Sequence, residues 1–300
     1  MRTLCILAFV GLVLVAGLSA VTAQACVGAR ALGMGGAFTG LADDPSATYW
    51  NPAALPDLNE KAVTWMHTAN NRESINYQDY AAYVSPVDSK GAFGFSYIKF
   101  QMLPSVNTTS FSGSWNQSWY WLSYGARASS KTSVGTNIKV IVDDLSMAVG
   151  GRALPVSASS DMAFDLALYH HATDAVTLGL LVQNFNEPKT TVEAAGIPVL
   201  EAKWGRNYRP GISVRGTSGV LFSAEVYDAT DDGDMRALRV GAEKKFAKEK
   251  FALRAGRYAA GDISGLTLGA GTWGDKWSAD VAFMGGDLDN TWLVSATAKY

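Results

Sequence analysis

Along most of the chain, apolar and polar residues alternate one by one. At the C-terminus Trp292, Val294, Ala296, Ala298 and Tyr300 share one face of an extended segment, with Leu293, Ser295, Thr297 and Lys299 on the other. The same period sets Val176, Leu178, Leu180 and Val182 against Thr177, Gly179 and Gln183. It also sets Val220, Phe222, Ala224 and Val226 against Ser223 and Glu225. Met162, Phe164, Leu166 and Leu168 oppose Asp161 and Asp165, and Trp277, Ala279, Val281 and Phe283 oppose Ser278 and Asp280. A repeat of two marks a strand with one apolar face. About fourteen such strands follow one another, near 60–69, 77–86, 91–102, 114–127, 131–143, 160–170, 174–185, 204–216, 219–229, 235–246, 249–258, 264–273, 276–285 and 289–300.

A soluble antiparallel sheet also alternates. The polar face separates the two cases. Here it is rich in Gly, Ala, Ser and Thr with scattered charges, while the other face stays apolar in segment after segment. That suits oily side chains meeting lipid and small polar ones lining a crowded lumen. Trp115, Trp119, Tyr120, Trp121, Tyr124, Trp273, Trp277, Trp292 and Tyr300 fall near strand ends, where membrane-interface girdles are expected. Connections alternate in length: 86–90, 128–130, 171–172, 217–218, 247–248 and 274–275 are tight, whereas 103–113, 144–159 and 186–203 are longer. Short periplasmic turns and longer external loops give that rhythm in outer-membrane barrels. The expected fold is therefore all-β, a closed transmembrane antiparallel barrel spanning residues 60–300.

The first residues read differently. Met1-Arg2, the apolar run 3–21 and Ala23-Gln24-Ala25 have the layout of a cleavable export signal over 1–25. Cleavage there makes Cys26 the first mature residue, where lipid attachment is a minor alternative because the preceding Ala-Gln-Ala lacks the usual leucine. After cleavage one cysteine is left, so no internal disulfide forms. Charged residues are only 17% of the chain and the net charge is −2. Nothing resembles the basic footprint of a nucleic-acid binder.

Residues 26–59 are too rich in small residues and helix breakers for a spanning strand and are expected to plug the barrel. Gly35 and Gly36, with Gly33 and Gly40, permit close backbone approach and unusual dihedrals. Asp44 before Pro45 and Ser46 suits a helix start, and Asn51-Pro52 a second one. The strings Gly35-Gly36-Ala37, Ala42-Asp43-Asp44-Pro45-Ser46-Ala47 and Tyr49-Trp50-Asn51-Pro52-Ala53-Ala54-Leu55 resemble the N-terminal signature of FadL-like outer-membrane proteins. Their wording is closest to the PorV/PorQ branch. The resemblance covers about 25 residues. Ala54 stands where many members carry glycine. The resemblance implies a fourteen-stranded barrel with an N-terminal hatch in the outer membrane of a Gram-negative bacterium. It also implies one of two roles: a secretion or surface-assembly component, which the wording favours, or a channel for hydrophobic small molecules such as fatty acids. Expected partners are outer-membrane lipid and lipopolysaccharide, with secretion-system proteins or a hydrophobic ligand according to the role.

Other candidates weigh less. Residues 228–234 imitate a calcium loop, but Arg239 stands where a closing carboxylate belongs. His170-His171 is expected in a plain surface turn, and His67 at a strand tip. Lys139, Asp165, Arg215, Glu225, Arg239, Glu243, Arg254 and Asp280 are expected to face the lumen and pair across strands. No serine elbow, zinc helix motif or phosphate loop is present, so no catalysis, metal or cofactor is expected.

Overall fold

The computed structural model describes residues 27–300 apart from 71–77, 89, 109–110, 231–235, 249, 261–262 and 287–289. The expected export signal, Cys26 and most of the aspartate-rich turn lie outside the described residues. The strands, in chain order, are β1 (Ala62–Asn70), β2 (Gln78–Pro86), β3 (Gly91–Asn107), β4 (Phe111–Arg127), β5 (Thr132–Val149), β6 (Arg152–Ala153), β7 (Val156–Ser160), β8 (Ala163–His171) and β9 (Val176–Gln183). There follow β10 (Lys189–Ala194), β11 (Ile197–Lys203), β12 (Asn207–Arg215), β13 (Val220–Tyr227), β14 (Ala237–Phe246), β15 (Phe251–Ala260), β16 (Ile263–Trp273), β17 (Trp277–Gly286) and β18 (Thr291–Lys299).

Fourteen of these, all but β6, β7, β10 and β11, form one antiparallel ring. It closes where β1 pairs with β18, from Ala62↔Lys299 to Asn70↔Thr291. Closure leaves no spanning strand with an unpaired edge, which a bilayer would not tolerate. Each segment anticipated from the period of two is a barrel strand, with ends moved by a few residues.

The three long connections are not loops. β3, β4 and β5 run to 17, 17 and 18 residues, well beyond the roughly ten that a tilted strand needs to cross. Their outer halves continue as a three-stranded extension of the sheet above the barrel, which accounts for the strand residues of 103–113 and the start of 144–159. The remainder of 144–159, with 186–203, supplies β7, β10 and β11, a separate three-stranded sheet in the order β11-β10-β7. Ladder bonds above the bilayer satisfy backbone groups that a bare loop would leave to water.

The apolar face points outward. Phe222, Leu253, Leu266 and Leu268 are more than half exposed around the circumference, while Glu225, Arg239, Glu243 and Arg254 on the opposite face are buried. That inversion of the soluble pattern, on a closed antiparallel barrel, makes the chain an outer-membrane protein. Tyr120, Tyr124, Trp277, Trp292 and Tyr300 do lie on the outer face. Trp115, Trp119 and Trp121 do not: they alternate with Tyr120 along β4 and are buried inside. Trp273 also faces inward, against Arg254. Proximity in sequence grouped these rings; strand parity divides them.

Candidate functional site

Residues 27–59 lie inside the ring. A short helix, Ala29–Gly33, is followed by a turn, a second short helix at Ala47–Trp50 and a 3-10 turn at Pro52–Asp57. Gly35 and Gly36 take φ of 69° and 75°, in the region that favours glycine. Asp44 Oδ1 accepts from Ser46 N at 2.9 Å and from Ser46 Oγ at 2.5 Å. Ser46, not Asp44, is the N-cap, and Pro45 precedes the helix instead of opening it. Asn51 caps the following turn by accepting from Ala53 N at 3.1 Å, with Pro52 in the first position.

The segment's own polar groups are spent on the wall. Asn51 Nδ2 donates to Thr39 O and to Leu168 O, each at 3.0 Å. Tyr169 Oη donates to Leu41 O at 2.8 Å, and Gly35 N donates to Thr267 Oγ1 at 3.0 Å. Trp121 Nε1 and Asn137 Nδ2 both donate to Thr48 O. Wall glycines allow this proximity: a Cβ at Gly179 would collide with Thr39 O, and one at Gly241 with Met34 O. Part of the chain's high glycine content is thus a contact surface for the buried segment.

Two carboxylates anchor it by charge. Glu225 Oε2 accepts from the backbone N–H groups of Phe38 and Thr39 at 3.2 and 2.9 Å. Its Oε1 lies 2.7 Å from Arg209 and 3.5 Å from Arg239. Arg209 is fully buried and stacks near the rings of Tyr49, Trp50 and Tyr227. Glu243 takes two bonds from Arg30, at 2.9 and 3.0 Å, and a third from Arg254 at 2.6 Å. Arg30 also pairs with Asp43 and lies 3.5 Å from Asp44. Burial works against the Arg30 charge, but Asp43, Glu243 and Asp44 outweigh it and hold its pKa above the ordinary value. Burial pushes the Asp44 carboxyl above its ordinary value, with Arg30 pulling the other way.

The expected lumenal charges pair largely as anticipated. Lys139 meets Asp165 at 2.7 Å, and Arg254 meets Asp280 at 2.9 Å. Arg215 does not take part. It is exposed at the end of β12, and Arg209, two inward positions earlier than Ser213, does the work instead. His171 is no plain surface residue. It ends β8 and its Nε2 is 2.6 Å from Asp57, which Arg127 also holds at 2.9 Å, so the end of the inner segment is latched to two strands. His170 bonds Thr132 at 2.9 Å, and His67 bonds Asp79 at 2.8 Å on the outer face. Among the described residues no cluster suited to a metal ion occurs. Arg30 and Arg209 were not singled out from the sequence. A lone arginine in a small-residue stretch, and one beside a proline in a strand, carry no spacing signal.

The lumen is mostly filled. A cavity of about 320 Å3 opens at the end where β1 begins and β18 finishes, lined by Arg30, Asp43, Asp44, Trp273 and Asp280 among others. At the other end Trp115, Met147 and Val192 form a second apolar core under the three-stranded sheet. Trp204 meets Trp119 edge-on there at 5.3 Å. The wall slips at β12–β13: the ladder covers Gly211↔Glu225 to Arg215↔Leu221, whereas Ala229 N donates to Tyr208 O, one residue out of register. Pro210 lies between and has no N–H to offer.

No family model and no curated protein matches the sequence. Solved structures do match the fold. A toluene transporter of Ralstonia pickettii, TbuX, superposes with a TM-score of 0.68 over 93% of this chain and 100% of its own, at 15% identity. The fold is shared. The P. putida toluene transporter TodX gives 0.65 over 91% and 98%, at 13% identity. A Pseudomonas aeruginosa FadL homologue gives 0.62 over 87% and 95%, also at 13%.

Proposed function

We propose that this chain is an outer-membrane channel admitting small hydrophobic molecules, with residues 27–59 as its hatch. The observation carrying this reading is the segment-filled fourteen-strand barrel, which matches toluene transporters over nearly their whole length. Two features of the chain itself support it. The buried apolar cluster of Trp115, Met147 and Val192 places oily side chains beneath the three-stranded sheet at the far rim. A ligand leaving through the side of the barrel needs a local break in strand pairing, and the one-residue slip between β12 and β13 marks an irregular place in the wall. Since the interior between them is packed, passage depends on displacement of the hatch. Cells producing the protein are expected to take up labelled toluene or oleate faster than cells lacking it. Equal uptake of both would overturn the reading.

A second reading, a secretion or surface-assembly component of the PorV/PorQ type, rests on the 35–55 string and on the charged, filled lumen, which has no continuous apolar groove among the described residues. A deletion strain that loses surface proteins but keeps normal uptake of hydrophobic compounds favours this role over transport.

A further inference from the structure

The outer face of β1–β4 has a sharp boundary. Read away from the chain ends, the outward positions run Val63, Trp65, His67 on β1 and Phe93, Phe95, Tyr97, Lys99 on β3. On β4 they run Tyr124, Leu122, Tyr120, Ser118, and on β2 Tyr83, Ala81, Asp79. β1 and β3 pass from apolar through aromatic to polar; on β4 Leu122 gives way to Tyr120 and then Ser118, and on β2 Tyr83 and Ala81 give way to Asp79. Three strands share the aromatic step, because Trp65, Tyr97 and Tyr120 fall in one register row with Ala81 between the first two. Such rings settle at headgroup level, so the next row, His67–Asp79–Lys99–Ser118, stands among the headgroups at the far rim.

Within that row the charges are not mutually neutralised. Asp79 is engaged by His67 at 2.8 Å, and Trp65 stacks parallel to the His67 ring at 6.2 Å. Among the described residues Lys99 makes no ion pair, although Asp79 is its register neighbour. Directly across on β4 is the Ser118 hydroxyl, likewise without a partner among the described residues. A free ammonium beside a free hydroxyl, both at headgroup depth, fits a phosphate monoester: the ammonium supplies charge and the hydroxyl a directed bond. The rings of Tyr97 and Tyr120, 5.0 Å apart just below, give the apolar platform on which attached acyl chains lie.

We propose that Lys99 and Ser118 form a binding site for a phosphate of the outer-leaflet glycolipid, the lipid A part of lipopolysaccharide. The site is independent of what the barrel transports. The test uses the purified full chain in micelles, titrated with lipid A, with dephosphorylated lipid A and with phosphatidylglycerol, and read by native mass spectrometry. Lipid A is expected to stay bound, while Lys99→Gln weakens it by about fivefold, the worth of one surface cation at a headgroup. Lys276→Gln, at the opposite rim, leaves binding unchanged, and heat-dependent gel mobility confirms that both variants are folded. Equal affinity of wild type and Lys99→Gln, or of lipid A with and without phosphate, overturns the proposal. Phosphatidylglycerol bound as tightly as lipid A overturns the assignment to the glycolipid.

Discussion

Glu225 joins three things that the sequence keeps apart: two strand arginines and the backbone of the inner segment. Replacing one member of a buried charge cluster leaves the others uncompensated, at about 3–5 kcal/mol. Glu225→Ala is therefore expected to lower the unfolding free energy in detergent by that order, while Arg215→Ala at the strand end changes it little. Gly179 tests the other kind of contact. A methyl there collides with Thr39 O, so Gly179→Ala is expected to cost about 1–3 kcal/mol and to make the inner segment more accessible to protease. Asp44 carries a pH signature. Its carboxyl is held above its ordinary value by burial, so its charge opposes folding at neutral pH and ceases to do so as it protonates. Asp44→Asn should thus be more stable than wild type at about pH 7, with the difference closing towards about pH 4. A gap that widens on acidification contradicts this.

At the scale of elements, β4 shows how strand parity assigns work. One face gives Tyr120, Leu122 and Tyr124 to lipid; the other gives Trp115, Trp119 and Trp121 to the lumen and its roof. The roof has its own ladder, since β10 pairs with β11 and with β7 but with no barrel strand; β7 is tied to the barrel by Ser160 Oγ donating to Asp143 Oδ2 on β5 at 2.7 Å. Replacing 189–203 with a short flexible link is expected to leave the heat-modifiable barrel intact on a gel. If the roof controls entry, the same variant admits hydrophobic compounds faster. Loss of the folded band would show instead that the roof is needed for assembly. The strand elements were legible because period two is local and repeats in each segment. The roof was not: 144–159 and 186–203 pair with each other across a long sequence gap, and neither alternates strongly.

For the whole molecule, outward Phe, Leu, Val and Trp residues around a closed ring require a lipid or detergent coat. Removal of detergent is expected to precipitate the purified mature chain; a stable monomer in plain buffer contradicts the membrane placement. The sequence by itself determined the barrel, its strand number and the special character of residues 26–59, because alternation, turn spacing and helix breakers act within a few residues. Only the tertiary structure decided which charges meet, that Arg209 and Arg30 matter while Arg215 does not, and that His171 latches the end of the inner segment. Those facts depend on strand register and on closing the ring, which bring together groups as far apart as Arg30 and Glu243. No local pattern specifies a partner at that distance.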